Sequence, residues 1–262
     1  MDPRVALIGL IVGVLVGISG VGGSSLVTPL MILVMGIQPL VAIGTDLVYS
    51  VPTKLVGALV HRQQGTIDRR LVAYLCLGGL PAALLGLATL YVLRSHLPLA
   101  TLNTALQRAV GVLLLLVAVL VVLLPLLTRK RKQQTTSPDA TVPKDRATAA
   151  RIIALGGVVG FCVSLTSIGS GSITLPMLFL LLPAFNLRRL VGADVAFAAI
   201  LVPVAALGHL QMGSVNLPLS ANLLIGSLPG VVVGSKLCRY LPDLWLRPAI
   251  AGVLLFAATR LI

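Results

Sequence analysis

The chain has 262 residues, 57% of them hydrophobic and only 10% charged, with a mean hydropathy of +1.06. A soluble domain carries roughly a quarter charged residues, so this composition excludes an ordinary globular protein and predicts an all-α integral membrane protein without a soluble domain. The net charge of +13 does not point to nucleic acid, because the basic residues sit in short loops between apolar runs, the positive-inside pattern.

In chain order, apolar runs occupy about 5–36, 39–60, 70–93, 103–127, 149–182, 188–208, 219–241 and 246–262. Most approach the roughly 20 residues that span a bilayer. The first and fifth are too long for one crossing, and each is cut near its middle. The first cut is SGVGGSS, Ser19 to Ser25, and the second is SLTSIGSGS, Ser164 to Ser172. Unwound backbone at membrane depth survives only where protein or water satisfies its polar groups. The 26 glycines and 16 prolines fit packed and interrupted membrane helices. Cys76, Cys162 and Cys238 lie in apolar stretches without metal-ligand spacing, so they read as small hydrophobes. The opening MDPRV has no strongly basic n-region, and no removable signal peptide is expected.

The polar stretch 128–148, with Arg129, Lys130, Arg131, Lys132, Pro138 and Pro143, reads as a flexible basic linker between a first membrane repeat, 1–127, and a second, 149–262. The halves align. A shift of 147 matches Gly13, Gly22 and Pro29 with Gly160, Gly169 and Pro176. A shift of 148 matches Gly44, Asp46, His61, Gly65, Gly78, Pro81 and Gly86 with Gly192, Asp194, His209, Gly213, Gly226, Pro229 and Gly234. Such ordered coincidences identify an internal repeat.

Loop 61–70 contains Arg62, Arg69 and Arg70, whereas its counterpart 209–218 has no Lys or Arg. Loop 183–190 contains Arg188 and Arg189, whereas 37–40 is uncharged. With the basic loops and linker cytoplasmic, corresponding loops face opposite sides. Two inverted-topology repeats are therefore expected, each a glycine-broken helical hairpin plus three spanning helices, about 8–10 membrane segments in all. Both termini are then periplasmic. Inverted repeats with discontinuous helices are a plan of secondary transporters.

Several residues carry candidate chemistry. Gly22 and Gly23 allow close backbone approach, and Ser24, Ser25 and Thr28 follow at the start of the second arm, where free N–H groups and the helix dipole attract an anion. Ser170, Gly171 and Ser172 repeat the arrangement. The competing reading is tight packing of small residues. Asp46 and Asp194 sit in apolar runs, and a carboxylate there is a functional candidate as proton carrier, sodium ligand or hydrogen-bond acceptor; an N-cap near the membrane surface is the alternative. Lys54 and Lys236 have no repeat counterpart. Lys54 either neutralises a bound anion or snorkels to the surface. His61, His209, Arg108 and Arg247 read mainly as structural or interface residues, and Tyr240 and Trp245 as aromatic-belt residues. The sequence has no HExxH, GxSxG or nucleotide loop, so an enzyme is not expected. No cofactor or metal is expected.

The stretches GVGGSSLVTPLMIL, AIGTDL, HRQQGTID and GGLPAALLG, repeated weakly as SIGSGSITLPML, GADVAF, GHLQMGSVN and GSLPGVVVG, resemble the sulfite exporter TauE/SafE family of membrane transporters. The resemblance covers nearly the whole chain outside the linker. It implies transport of small sulfur anions, such as sulfite and organosulfonates, across the bacterial inner membrane. Carried over by residue, it implicates Gly22, Gly23, Ser24, Gly44 and Thr45, and Thr45 joins Asp46 and Asp194 as a candidate for the coupling ion or proton. The family pattern more usually has Ser where Asp46 stands and a glycine-richer second break.

The expectation is therefore a multi-pass inner-membrane secondary transporter. A small anion, sulfite, an organosulfonate or a related sulfur or carboxylate anion, binds between the breaks and moves by alternating access. A passive anion or small-solute channel is the runner-up, with a membrane-embedded enzyme or accessory subunit behind it. The expected partners are that anion, the lipid bilayer and, as an option, further copies of the chain; nucleic acid is not one.

Overall fold

The computed structural model describes residues 3–19, 23–128, 145–183, 185–237 and 243–262. Most of the linker, together with Gly22, Cys238 and Tyr240, lies outside the described residues, as do the side chains of Lys236, Trp245 and Arg247. The described residues form ten helices and no strand: α1 (Pro3–Ser19), α2 (Ser24–Leu33), α3 (Pro39–Gln63), α4 (Arg69–His96), α5 (Leu99–Thr128), α6 (Arg146–Thr166), α7 (Thr174–Leu181), α8 (Leu187–Gln211), α9 (Leu217–Leu237) and α10 (Asp243–Leu261). Five of them, α4, α5, α6, α8 and α9, are long and apolar enough to cross a membrane, while α2 and α7, with 10 and 8 residues, are not. The chain is a multi-pass membrane protein.

Local signals set the boundaries. Asp68 caps α4 by accepting the N–H groups of Arg70 and Leu71, both at 3.1 Å. Asn186 caps α8 through Arg188 N–H at 3.0 Å, and Asp145 caps α6 through Thr148 N–H at 3.2 Å. Backbone N–H groups of Ala147 and Thr148 hold the exposed Asp145 carboxyl below the usual carboxylate range. Gly65 and Gly213, both at φ +65°, close the turns after α3 and α8, where a left-handed residue is required. In each turn a hydroxyl seals the helix end. Thr66 meets His61 Nδ1 at 2.8 Å, and Ser214 meets His209 Nδ1 at 3.0 Å. The two histidines therefore serve as structural pieces of matched turns.

The repeat recurs in three dimensions. Helix α1 packs along α9, and α4 along α6. Each pair approaches so closely that a side chain at its glycines would meet backbone. Gly9 faces Leu223 as Gly156 faces Leu75; Gly13 faces Ser227 as Gly160 faces Gly79; Gly234 faces Val14 as Gly86 faces Phe161. These are the same three contacts with the halves exchanged. The turn after α3 brings Thr66 against Gly192, near the start of α8, and the turn after α8 brings Ser214 against Gly44, near the start of α3. Helices α3 and α8 therefore run antiparallel, and the axis exchanging the halves is perpendicular to them. At one end of the bundle Arg189 pairs with Asp68 at 3.0 Å and lies 5.5 Å from the Phe185 ring centre. At the other end Arg94 donates to the Met212 carbonyl. Helix α8 is the most buried of the five long apolar helices.

Small residues bring membrane helices together without a hydrophobic drive between them. Gly160→Ala should accordingly lower stability by about 1–3 kcal/mol through overpacking. Gly252 has open space around it, and Gly252→Ala should be neutral or slightly stabilising. Thermal melts of the purified variants in detergent check the contrast; equal melting temperatures would contradict the close α4–α6 contact.

Candidate functional site

Helix α3 is less apolar than its counterpart α8 because of one polar stripe. Asp46, Ser50, Thr53 and Lys54 recur at helical spacing and share a face. The equivalent positions of α8 are Asp194, Ala198, Leu201 and Val202, so only the carboxylate is repeated. Neither aspartate is an N-cap, since Gln38 and Asn186 hold those positions. Both are buried, at 0% and 3% exposure, and a buried carboxylate needs donors or a counter-charge.

The donors come from the breaks. Asp46 Oδ2 accepts the hydroxyls of Thr28, in α2, and of Ser167, just past α6, both at 2.7 Å. Asp46 Oδ1 has no partner at hydrogen-bond geometry among the described residues, although the Ser50 hydroxyl, one turn along α3, stands beside the carboxylate. Asp194 Oδ1 accepts the N–H of Gly171 at 3.2 Å, and Thr174 stands beside the same carboxylate while bonding the Gly169 carbonyl at 3.2 Å. The second break thus runs from one carboxylate at Ser167 to the other at Gly171. It is unwound, with left-handed values at Ser167 (φ 63°), Gly169 (φ 143°) and Gly171 (φ 89°). Ser170 lies within it, buried, with its hydroxyl unpartnered. Lys54 acts electrostatically on both Asp46 and Asp194.

A cavity of about 520 Å³ opens beside this cluster. Gly23, Ser50, Thr53, Lys54, Val195 and Ser227 contribute to its wall. Tyr49 also lines it, with its hydroxyl engaged by Ser227. The pseudo-equivalent corner lies between α8 and α4. There Phe197 replaces Tyr49 and Gly79 replaces Ser227, and the phenyl ring packs directly against the glycine.

Of the candidate residues, Gly23 and Lys54 line the cavity. Ser24, Ser25 and Thr28 are buried at the start of α2, and Gly22 lies outside the described residues. Ser170, Gly171 and Ser172 precede α7, and none is among the described residues of the cavity wall. Thr45 is buried with its hydroxyl accepting Asn216 N–H at 3.0 Å, which ties it to the loop before α9. Sequence reasoning passed over Ser167, Ser50, Thr53 and Ser227. Helical spacing from Asp46 and Lys54 could have found Ser50 and Thr53.

Buried carboxylates and a cation, gathered where membrane helices are broken beside a cavity, define a multi-pass membrane transporter. The family model described as Sulfite exporter TauE/SafE matches residues 5–261, and the chain belongs to that family. It is 40% identical over 265 residues, covering 100% of both chains, to a protein named Probable membrane transporter protein YjnA from Bacillus subtilis strain 168. It is 28% identical over 258 residues, covering 96% of this chain and 98% of the other, to Probable membrane transporter protein YdhB of the same organism. No solved structure matches the chain.

Ser167 carries two opposed effects: its left-handed backbone strains a side chain, and its hydroxyl bonds Asp46. Ser167→Ala keeps the strain and loses the bond, whereas Ser167→Gly loses both. The glycine variant should therefore be the more stable of the two by about 1 kcal/mol. Thermal unfolding of both variants in detergent is the check, and an alanine variant as stable as the glycine one would contradict the strained turn.

Proposed function

We propose that the protein is a secondary transporter that moves a small anion across a bacterial inner membrane by alternating access. The anion is sulfite, an organosulfonate or a related sulfur or carboxylate anion. The observation that carries this reading is Lys54. It is a cation in the wall of a cavity among membrane helices, flanked by Ser50 and Thr53 and facing Gly23 at the start of α2. An anion leaving water loses its hydration, which is unfavourable unless donors replace it. An ammonium, hydroxyls and a helix N-terminus do so together. They discriminate by charge, because one fixed positive charge favours anions over cations. Ser24, Ser25 and Thr28 extend this donor set along α2. The printed names of the relatives as membrane transporters support the class of activity, and the family name supports a sulfur oxyanion as substrate.

Alternating access needs two halves that move against each other about a fixed site. The antiparallel placement of α3 and α8 supplies related halves, and the contacts Asp68–Arg189 and Arg94–Met212 join them at opposite ends. The basic loops around Arg62, Arg69, Arg188 and Arg189 face the cytoplasm in this reading, with both termini periplasmic.

Purified protein in liposomes should carry sulfite or a sulfonate saturably, and Lys54→Gln should reduce that flux at least tenfold while leaving the protein folded and monodisperse. Retained wild-type flux in Lys54→Gln would refute the anion site, and flux that never saturates would favour a channel. The topology is checked separately. Single cysteines at Gln64 and Gln211, in a background lacking Cys76, Cys162 and Cys238, should be labelled from opposite faces by a membrane-impermeant maleimide. Labelling of both from one face would overturn the inverted arrangement.

A further inference from the structure

The second break holds polar atoms that the anion reading does not use. Asp46 spends one carboxylate oxygen on two hydroxyls at 2.7 Å. Its other oxygen, Oδ1, is buried and unpartnered, as is Ser170 Oγ. Ser170 belongs to the five-residue segment that touches Asp46 at Ser167 and Asp194 at Gly171. Asp46 is fully buried and Ser170 is 2% exposed. A buried polar oxygen left without a partner is unfavourable. Asp46 Oδ1, on α3, and Ser170 Oγ, on the segment that contacts both carboxylates, are therefore two candidate ligand atoms beside each other.

We propose that Asp46 Oδ1, Ser170 Oγ and the Asp194 carboxylate bind one dehydrated sodium ion against the unwound backbone of the second break. The donor set is all oxygen, which suits a hard cation. Among the described residues no group of three or more His, Cys, Asp or Glu side chains could hold a metal ion. With both carboxylates ionised in the sodium-bound state, Lys54 leaves a single negative charge to balance, which a monovalent ion matches. Backbone carbonyls of unwound membrane segments supply further oxygens in such sites. Thr45, grouped with the aspartates on sequence, takes no part, because its hydroxyl is committed to Asn216. The ionisable groups around the site are Asp46, Asp194 and Lys54, with Tyr49 beside Asp46.

The proposal rests on the transporter reading for its purpose. Bound sodium removes one net negative charge next to Lys54, which favours the anion's entry and couples its movement to the sodium gradient. The binding itself is testable without any anion substrate. Purified full-length protein is melted at fixed pH and ionic strength while sodium chloride replaces choline chloride, with potassium chloride as a parallel series. Sodium should raise the melting temperature saturably and more than potassium does, since a ligand of the native state stabilises it. Asp46→Asn should abolish the sodium-specific rise. If that variant fails to fold, Ser170→Ala serves instead and should weaken sodium about fivefold, the equivalent of one lost contact of ~1 kcal/mol. Equal responses to sodium, potassium and choline overturn the proposal. So does a melting temperature that follows pH but not sodium, which would assign the carboxylates to protons. Sodium binding in protein that carries no anion would uphold this site and refute the anion reading. Anion flux of unchanged rate in sodium-free liposomes would do the reverse.

Discussion

A chain inside a bilayer has no water to satisfy a broken backbone, so each interruption of a helix must be supported by another part of the protein. That constraint organises this structure. The second break cannot stand alone between α6 and α7. It is held by Ser167 on Asp46, from the other half of the chain, and by Gly171 on Asp194, one helix further on. The two carboxylates in turn require these donors, because they are buried. Break and carboxylates form one unit, and neither half of the chain completes it. The glycine contacts of α1 with α9 and of α4 with α6 have the same character, since each joins one repeat to the other.

The internal symmetry also sets off the surroundings of the cavity. Two pseudo-equivalent corners are available, one lined by α3 and α9, the other by α8 and α4. Tyr49 and Ser227 occupy the first and Phe197 and Gly79 the second. A phenyl ring seated on a glycine fills its corner, whereas a tyrosine bonded to a serine keeps polar groups at the edge of an open volume. Lys54 against Val202 adds charge to the first corner alone. The repeated backbone provides the frame, and a few unmatched side chains give one half the polar chemistry.

Much of this was legible in the residues. Composition fixes the membrane class, and the paired glycines, prolines and aspartates reveal the repeat. The two serine-glycine cuts mark the interruptions, which fall between α1 and α2 and between α6 and α7. Apolar periodicity carries no partner label, so the sequence could not say that α1 lies on α9 rather than on its own neighbours. Glycines at 9, 13, 156 and 160 hint at close contact without naming what they touch. Thr45 illustrates another limit. Its place beside Asp46 suggested a shared ligand role, but successive helix residues point about 100° apart, and its hydroxyl serves the loop at Asn216. Ser167 was missed because a serine at a helix end ordinarily reads as local capping, whereas its partner is 121 positions away.

The clustering of opposite charges around one broken segment bears on how a gradient could be used. Lys54 acts electrostatically on each of Asp46 and Asp194, so a change in occupancy at the carboxylates alters the field at the lysine without any backbone movement. Backbone movement is nonetheless close at hand. The same carboxylates hold both ends of the unwound segment, and Thr28 connects Asp46 to α2. A cation that pulls Asp46 Oδ1 toward Ser170 would tighten the second break and shift the contact with α2 together. The second arm's start, at Gly23, faces the cavity. Local electrostatics and helix position are thus joined through a single carboxylate, which gives one site the means to sense an ion and to reshape the cavity wall beside it.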